Sequence, residues 1–293
     1  MPKVFIIILH YGDPRDTIEC LDSLNKLNYD NCEIILIDNG SGRKFEIRNS
    51  KFEISKIFNS ENFGFAGGNN IGIKQAMEKG ADYILLLNND TIIDQPDFLK
   101  KLVETGEENE KIGILGPVIY EYPSDKIHFA GGKINWLYTK GFHETYNIEH
   151  GTRLTDYITG ACMLIKREVI GKIGLMSEEY FLYCEDVDWC LRAQKAGFLC
   201  KVVQDARISH KVSSSSKIAS FSYIYYHTRN GLLLARRNAP FFIKFLAYLN
   251  SFWVYGKQVI KLAISPKKRL WARAIMRGIG DFYKGRFGPL VQI

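Results

Sequence analysis

Three nearly uninterrupted apolar runs constrain the fold of this 293-residue chain more than any other feature. They read VFIIIL at residues 4–9, EIILI at residues 33–37 and YILLL at residues 83–87. Runs of this kind are typical of strands that are buried on both faces of a parallel sheet. Apolar residues at helical spacing, beginning with Ile18 and Leu21, lie between the first two runs. The alternation predicts an α/β fold built on a doubly wound, mostly parallel sheet.

The remaining pattern predicts one α/β domain over residues 1–217 and a basic, aromatic helical region over residues 218–293. Residues 116–156 indicate loops with short antiparallel strands, and residues 199–209 indicate either a strand pair or one long strand. Residues 213–216 are a polar tract that is typical of a loop. The other predicted strands are 56–58, 112–115 and 161–165, and the predicted helices are 69–79, 97–109 and 185–196.

The composition excludes several classes of protein. Hydrophobic residues make up 46% of the chain and charged residues 24%, which suits a globular core and excludes a disordered or collagen-like chain. The six cysteines form no CxxC pair, which argues against a structural zinc site. The first residues lack the long apolar core and cleavage site of a signal peptide. We therefore expect reduced cysteines and a cytoplasmic protein.

Charge is distributed unevenly along the chain. From residue 221 to the end there are 13 Lys and Arg and one acid, a net charge of +12, whereas the first 220 residues carry −5. No nucleic-acid reading motif accompanies this tail, so we expect no nucleic-acid partner. Its aromatic and basic helices suit the surface of an anionic membrane, a subdomain packed on the core, or an oligomer interface. Its longest uncharged stretch, residues 245–256, is shorter than the roughly 20 residues that span a bilayer.

Polar residues collect where three of the predicted strands end, which is where open α/β sheets bind ligands. They are His10 and Tyr11, Asp38 and Asn39, and the triplet Asn88, Asn89 and Asp90. A carboxylate at a strand end can hold Mg²⁺ or Mn²⁺, which prefer oxygen ligands, although an Asx turn is the structural alternative. His210 is a further candidate ligand on the condition that the fold brings it near Asp90.

Three acidic residues open a predicted helix directly after the aromatic segment YFLY at residues 180–183. Acids in a first helical turn favour the helix dipole, which is a structural explanation. Flanking aromatic residues would also desolvate a carboxylate and raise its pKa, as a general base near neutral pH requires. Glu185 and Asp188 share a helix face and Asp186 points elsewhere, so one acid could be structural and another catalytic.

The glycine-rich segment NFGFAGGNN at residues 62–70 leads into a predicted helix. Its glycines permit close approach of the backbone to a ligand, and the N-terminus of a helix favours anions. The segment matches neither GxGxxG nor the P-loop pattern GxxxxGK, which disfavours a nicotinamide dehydrogenase and a P-loop kinase.

Taken in order, these segments resemble a family 2 glycosyltransferase with the GT-A fold, and within that family the bacterial rhamnosyltransferase-like branch. The resemblance covers residues 4–230 and implies a GT-A sheet with a C-terminal helical extension. Besides the segments above, the matching elements are IDNGS at residues 37–41, LLNND at 86–90, TGACMLIKRE at 159–168, CEDVDWCLR at 184–192, His210, and YHTRN at 226–230.

The resemblance implies an inverting glycosyltransferase of cell-wall or polysaccharide biosynthesis that acts with Mg²⁺ or Mn²⁺. The donor would be a dTDP- or UDP-linked sugar, L-rhamnose first, and the acceptor a hydroxyl of a glycan or a polyprenyl-linked glycan. The enzyme would be peripheral on the inner face of the cell membrane. An asparagine, Asn88, stands where the family's metal motif has its first acid, so this site carries one charge fewer.

The resemblance also assigns roles to individual residues. Asp186 would be the general base with Glu185 as its partner, and Asp38 would bind the donor base. The other implied contacts are His10, Tyr11, Asn39, Gly68, Asn69, Asn88 and Asn89 for the donor, Asp90 and His210 for the metal, and Gly160, Ala161 and Trp189 for the acceptor.

Alternatives remain open at this point. The donor could be a UDP-hexose, or the chain could be a non-catalytic relative that binds sugar nucleotides or carbohydrate. A nucleotidyltransferase would share a similar sheet, but such enzymes resemble one another in a basic, glycine-rich first loop. Residues 10–16 contain one Arg and no glycine cluster, which disfavours that class.

Overall fold

A computed structural model describes residues 1–42, 46, 50–146, 151–211 and 220–291. The predicted polar tract at 213–216 and the predicted domain boundary at 217/218 lie outside the described residues. The strands are β1 (Val4–His10), β2 (Cys32–Asp38), β3 (Ile54–Phe58), β4 (Tyr83–Asn88), β5 (Thr91–Ile92), β6 (Ile112–Glu121), β7 (Ile127–Phe129), β8 (Gly132–Asn135), β9 (Lys140–His143), β10 (Thr152–Leu154), β11 (Cys162–Lys166) and β12 (Leu199–His210). The helices are α1 (Arg15–Leu24), α2 (Gly64–Glu78), α3 (Phe98–Glu107), α4 (Arg167–Ile173), α5 (Glu185–Lys195), α6 (Phe221–Asn238), α7 (Phe241–Ile264) and α8 (Arg269–Tyr283).

A ten-stranded sheet organises the described part of the chain. Its main path runs in the order β10-β12-β6-β11-β4-β1-β2-β3, with β5 paired to β12 and β7 paired to β6. The strands β4, β1, β2 and β3 are parallel, as are β6 and β12, while β11 runs antiparallel between β4 and β6. The predicted mostly parallel α/β sheet is confirmed, and it is a mixed sheet because of β11 and the short strands.

Helices cover both faces of this sheet, as its two-sided apolar strands require. α2 packs on one face, where Gly72 lies against Ile7 of β1. α3 packs on the other face, where the hydroxyl of Tyr83 donates to Glu107 at 2.6 Å. Tyr83 pairs with Val4, so the two side chains point to the same face. Val4 and Ile7 are three residues apart in β1, and residues an odd number apart in a strand point to opposite faces. The sheet is therefore doubly wound, as predicted.

The parallel register brings the ends of three neighbouring strands to one line. His10 pairs with Asp38 between β1 and β2, and Leu9 pairs with Asn88 between β1 and β4. The polar residues predicted at the strand ends therefore lie side by side at the carboxyl edge of the sheet, the edge where open α/β sheets bind ligands.

The glycine-rich segment differs from its prediction, because its glycines lie inside α2 and not in a loop. The helix begins at Gly64, which has a φ of +74° and whose N–H donates to the side chain of Asn62 at 2.8 Å. A Cβ on Gly68 would lie 2.5 Å from Cδ1 of Leu9. The glycines therefore let α2 pack closely on β1.

The structure tests two further predictions. The segment near residue 200 is one strand, β12, of 12 residues, which excludes the strand pair. All six cysteines are buried reduced thiols, in agreement with the expectation from the sequence. Burial raises the pKa of Cys20 to about 12.

Most large apolar residues of the helix α7 face away from the body of the protein, whereas Ile243, Tyr248 and Val254 are partly buried against it. The buried residues of α7 are Ala247, Ser251 and Gln258, which are small or polar. Its exposed large apolar residues are Phe241, Phe242, Phe245, Leu249, Phe252, Trp253, Val259, Ile260 and Ile264. Across the described ranges, each helix is too short or too polar to cross a bilayer.

We expect Gly72→Ala to destabilise the protein, because the added Cβ would lie 2.9 Å from Ile7 Cγ2 and 2.8 Å from Ile37 Cδ1. Overpacking of a buried site costs about 1–3 kcal/mol. The matched control is Gly171→Ala in α4, where nothing lies within 4 Å of the added atom and we expect a neutral or slightly stabilising change. Urea unfolding measures both variants. Equal midpoints would contradict the close packing of α2 on the sheet.

Candidate active site

Asp90 and His210 meet at the carboxyl edge of the sheet, although 120 residues separate them in the chain. They are brought together because Thr91 of β5 pairs with His210 at the end of β12. His210 Nε2 lies 2.8 Å from Asp90 Oδ1, and the N–H of Lys211 donates to the Asp90 carbonyl at 2.9 Å. The side chain of Asp90 is 13% exposed and that of His210 is 12% exposed. The fold therefore brings His210 near Asp90, which was the condition for its being a candidate ligand.

The acidic pair at the start of α5 lies at the same edge. Asp186 Oδ2 accepts a hydrogen bond from the N–H of Gly160 at 2.9 Å. The carbonyl of the next residue, Ala161, accepts from the N–H of Asn88 at 2.9 Å. Two hydrogen bonds thus connect Asp186 to the triplet that ends in Asp90. The structure brings the acidic pair and the Asp90–His210 pair to one end of the sheet.

The two acids of the pair have different surroundings. Glu185 is buried, its Oε2 has no hydrogen-bond partner among the described residues, and burial raises its pKa well above the ordinary value. Burial also raises the pKa of Asp186, but hydrogen bonds from the N–H groups of Gly160 and Val187 stabilise its charged form and oppose the rise. Asp186 is also partly exposed. The arrangement favours a proton on Glu185 and a negative charge on Asp186.

Asp188 is the structural acid of this helix. Its Oδ2 accepts from Arg192 Nε at 2.9 Å, and its Oδ1 accepts from Asn238 Nδ2 at 2.7 Å and from the Tyr180 hydroxyl at 3.1 Å. These partners hold α5 to its neighbours and leave Asp188 1% exposed.

His10 is held by a threonine that the sequence analysis did not single out. His10 Nδ1 and Asn89 Nδ2 lie 2.7 and 2.8 Å from the hydroxyl oxygen of Thr17. Burial lowers the pKa of His10, which favours the neutral ring near pH 7. Thr17 belongs to α1, so the network fixes this helix against the ends of β1 and β4. The sequence carries no signal for Thr17, because a threonine on the buried face of a helix is ordinary.

Three residues that are expected to contact the donor also hold the framework of the site together. Asn39 Nδ2 donates to Asn62 Oδ1 and to the Gly64 carbonyl, each at 3.0 Å, while its Oδ1 accepts from two further N–H groups. Asn69 donates to a carbonyl of its own helix, and Gly68 packs on β1. Both asparagine side chains are 2% exposed. The protein encloses the side chains of Asn39 and Asn69, and the expected contacts of all three residues with the donor stay predictions.

The remaining donor-side residues have accessible or edge positions. Tyr11 is exposed just beyond β1, and Asn88 and Asn89 are partly exposed at the end of β4. Asp38 ends β2, where its Oδ1 accepts from the N–H of Ser41 at 2.8 Å. Their expected contacts with the donor stay predictions.

Trp189, which is expected to contact the acceptor, lies in the core, and that contact stays a prediction. Its indole is fully buried, and its Nε1 donates to the Gly174 carbonyl at 2.9 Å, so the ring packs inside the protein. Gly160 can contact a ligand only through its backbone. A Cβ at this position would lie 2.9 Å from the ring of Phe65. Gly160 and Ala161 remain beside Asp186, and their expected contact with an acceptor stays a prediction.

The donor atoms of Asp90 and His210 fit a divalent cation that the substrate helps to hold. A carboxylate oxygen suits Mg²⁺ or Mn²⁺, and an imidazole nitrogen is a common ligand of transition metals. In the part of the chain that the structure describes, no three His, Cys, Asp or Glu side chains gather closely enough to hold a metal ion. Sites with one or two protein ligands are usually completed by water and substrate phosphates.

Comparison of the sequence with known protein families identifies the class of this protein. A profile of Glycosyl transferase family 2 matches residues 5–174. The chain belongs to this family. The match extends from the second residue of β1 to beyond β11 and ends before the acidic pair of α5.

The chain is similar to characterised members of the family. It is 29% identical over 249 residues to the dTDP-rhamnosyl transferase RfbF of Shigella flexneri, covering 80% of this chain and 81% of that protein. It is 25% identical to the low-salt glycan biosynthesis hexosyltransferase Agl10 of Haloferax volcanii, covering 92% and 88%. An N-acetylglucosaminyl-diphospho-decaprenol L-rhamnosyltransferase of Mycobacterium tuberculosis is 25% identical over 54% of this chain and 56% of its own length. The resemblance to the rhamnosyltransferase-like branch is confirmed.

Solved structures of other glycosyltransferases share the fold. The mannosyltransferase PcManGT of Pyrobaculum calidifontis, in complex with GDP-Man and Mn²⁺, superposes with a TM-score of 0.61 at 12% identity, covering 97% of this chain and 88% of that one. Residues 1–349 of S. aureus TarS give 0.58 at 12% identity, with coverages of 97% and 92%. At such identities the likeness shows the fold alone, and it confirms the GT-A fold.

We expect Glu185→Gln to stabilise the protein at pH 8 and to have no effect on stability at pH 4. As the pH rises above about 4.3, the ordinary pKa of Glu, the wild type must retain a proton or bury a charge, a cost that the amide avoids. Below that pH both side chains are uncharged in the folded and unfolded states. Thermal unfolding at the two pH values should show a gain of about 1 kcal/mol, a few degrees, at pH 8.

The matched control for this measurement is Glu104→Gln, an exposed acid of α3. Glu104→Gln should not stabilise the protein at pH 8, because Glu104 is exposed and its carboxylate lies 3.8 Å from Lys100. The same pH dependence in both variants would contradict the unpartnered burial of Glu185.

Proposed function

We propose that the chain transfers a sugar, with inversion, from a nucleoside-diphosphate sugar to a hydroxyl of a glycan, with Asp186 as the general base. The observation that carries this proposal is the placement of Asp186, which is fixed by the N–H of Gly160 at the sheet edge that holds Asp90 and His210. dTDP-L-rhamnose is the first candidate donor, supported by the dTDP-rhamnosyl transferase RfbF among the relatives. A UDP-hexose is the second.

Asp186 accepts the proton of the acceptor hydroxyl while that oxygen forms its bond to the anomeric carbon of the donor. The bond from this carbon to the diphosphate oxygen breaks, and the electron pair leaves with the nucleoside diphosphate. A single displacement with base and leaving group on opposite sides of the sugar inverts the anomeric carbon and needs no covalent intermediate. A protonated Glu185 adds no second negative charge beside the base.

The donor is held at the ends of β1, β2 and β4. In this proposal Asp38 accepts from the imide N–H of thymine or uracil, and Asn88 and Asn89 lie along the diphosphate. Asp90 and His210 hold Mg²⁺ or Mn²⁺, which when bound neutralises charge on the departing diphosphate. Because the described residues gather few metal ligands, we expect the metal to bind weakly alone and more tightly together with the nucleotide.

The variant Asp186→Asn tests the base. We expect kcat to fall by about 10²–10⁴-fold, since general-base catalysis contributes this much, while donor affinity stays unchanged. In the wild type, activity should fall as the pH falls through the pKa of Asp186, and because that pKa is raised the fall should begin above about pH 4. The matched control, Asp22→Asn on the exposed side of α1, should retain activity. Near-wild-type kcat in Asp186→Asn would remove the base assignment.

Calorimetry separates the open alternatives of donor and class. dTDP-rhamnose and UDP-hexoses are titrated with and without Mn²⁺, and each bound donor is then assayed for transfer. Tight binding of UDP-hexoses in place of dTDP-rhamnose would change the donor. Donor binding without transfer to any glycan would identify a non-catalytic binding relative and overturn the enzyme proposal.

We further propose that the acceptor is a polyprenyl-linked glycan and that α7 lies on the cytoplasmic face of the membrane. A helix on a water-facing surface normally turns its apolar side inward, whereas α7 buries small and polar residues and exposes Phe and Trp. Exposed apolar patches of this kind mark interaction surfaces. The name of the decaprenol-linked relative supports a lipid-linked acceptor.

The charge around α7 favours an anionic bilayer over a second copy of the chain. Lys257 and residues 267–269 are exposed beside the apolar face, and Lys257 Nζ lies 4.7 Å from the centre of the Trp253 ring. From residue 221 onward the sequence contains one acid, Asp281. Two such regions would repel each other, whereas an anionic membrane surface attracts each basic residue by about 1 kcal/mol.

We expect the protein to bind vesicles of phosphatidylcholine and phosphatidylglycerol at least about tenfold more tightly than vesicles of phosphatidylcholine alone, and to lose this preference in high salt. The double variant Phe245→Gln/Trp253→Gln should lose vesicle binding. The control, Tyr138→Gln/Phe142→Gln, alters exposed aromatics outside α7 and should keep it. Vesicle sedimentation measures binding. A concentration-dependent dimer with no vesicle binding would assign the face to a second copy instead.

A further inference from the structure

The loop in front of the acidic pair has an unusual backbone. We call residues 180–184 the acid loop. Within it Phe181, Tyr183 and Cys184 have φ angles of +61°, +69° and +73°. Positive φ costs a non-glycine residue about 1–3 kcal/mol and persists where the surroundings determine it. Since Cys184 directly precedes Glu185, the conformation of the acid loop fixes where α5 begins and where its acids lie.

Two adjacent residues of α6 supply several of the polar contacts that hold the acid loop. Asn230 Nδ2 lies 2.9 Å from the carbonyl of Tyr180 and 2.8 Å from the carbonyls of Leu182 and Tyr183. Arg229 Nη2 donates to the Tyr180 carbonyl at 3.0 Å. Arg229 Nε donates to Asn230 Oδ1 at 2.9 Å, which fixes the orientation of the amide. Both side chains are fully buried, so no water competes for these carbonyls.

Aromatic stacking from the same helix completes the restraint. The ring of Tyr226 stacks on Phe181 with centroids 5.6 Å apart, and His227 stacks on Tyr183 at 4.5 Å. Four of the five residues in the YHTRN segment therefore contact the acid loop. The fifth, Thr228, donates to a carbonyl of its own helix at 2.7 Å. The sequence analysis singled out this segment without finding a role for it.

The opposite side of the acid loop leads back to Asp186. The Phe181 carbonyl accepts from the N–H of Phe65 at 2.7 Å, and a Cβ on Gly64 would lie 2.3 Å from that carbonyl. The ring of Phe65 in turn lies against Gly160, whose N–H holds Asp186. The acid loop is thus fixed between α6 and the start of α2. The loop leads directly into Glu185, and the start of α2 contacts Gly160, which holds Asp186.

We propose that Arg229 and Asn230 are positioning residues of the active site. By holding the acid loop in its left-handed backbone conformation, they set the position of Glu185 and Asp186 without touching the reacting atoms. The effect on catalysis rests on the proposed function of Asp186, whereas the restraint of the loop does not. The helix α6 in the C-terminal region then contributes to the geometry of the active site.

The test compares Asn230→Asp with Thr228→Val. The first variant keeps the shape of the side chain but removes its N–H donors and faces the three carbonyls with a carboxylate. The second lies two residues away on α6 and leaves the acid loop untouched. We expect Asn230→Asp to lower kcat by about 10²-fold, the effect of a small misplacement of a catalytic group, with unchanged donor affinity and binding stoichiometry in calorimetry. Thr228→Val should match the wild type.

Hydrogen exchange gives a readout that does not depend on activity. The N–H groups of Phe181, Leu182 and Asp188 are hydrogen-bonded within or beside the acid loop. In Asn230→Asp their exchange should accelerate at least tenfold, whereas exchange in β1 and β2 should not change. If Asn230→Asp fails to fold, Asn230→Ser retains one donor and should give an intermediate loss of kcat and of protection.

The possible outcomes test the restraint of the acid loop, the positioning role and the proposed function separately. Unchanged exchange in a folded Asn230 variant would overturn the restraint. Faster exchange with unchanged kcat, or a loss of activity explained by fewer donor-binding molecules, would overturn the positioning role. Faster exchange in a protein whose wild type transfers no sugar would uphold the restraint and overturn the proposed function.

Discussion

The in-register parallel pairing of β1 with β2 and β4 is the constraint on which the rest of the site depends. It sets His10 beside Asp38 and Leu9 beside Asn88, so that three strands deliver polar residues to one edge. A shift of one residue would turn every side chain of a strand to the opposite face. The close fit of Gly72 against Ile7 and of Gly68 against Leu9 opposes such a shift in β1. The turn before the antiparallel strand β11 then places Gly160 and Ala161 beside this edge, and α5 adds the acids.

The sequence predicts the centre of this fold well, for a physical reason. Strands that are buried on both faces must be apolar along their whole length, so β1, β2 and β4 are visible as runs of Ile, Leu and Val. The glycine-rich start of α2 was misassigned because glycine is a poor helix former. Its helical state depends on packing against β1, which no local pattern records.

The sequence predicts which residue types collect at the site but not the surroundings of each side chain. Asn39 and Trp189 are polar or aromatic residues near the expected ligand, and a sequence cannot tell whether such a side chain faces the cleft or the core. The contact of Asp90 with His210 arises from the pairing of β5 with β12, a connection across 120 residues. The difference between Glu185 and Asp186 depends on burial and on the N–H of Gly160, which are properties of the folded chain.

The six buried thiols have a practical consequence for studying the helix α7. All of the native cysteines are enclosed in the core, and burial raises the pKa of Cys20, Cys32 and others, which disfavours the reactive thiolate. A cysteine introduced at an outward position of α7 would therefore be the preferred target of a maleimide-linked fluorophore in the folded protein. Environment-sensitive probes could then be attached one position at a time without first removing any native residue.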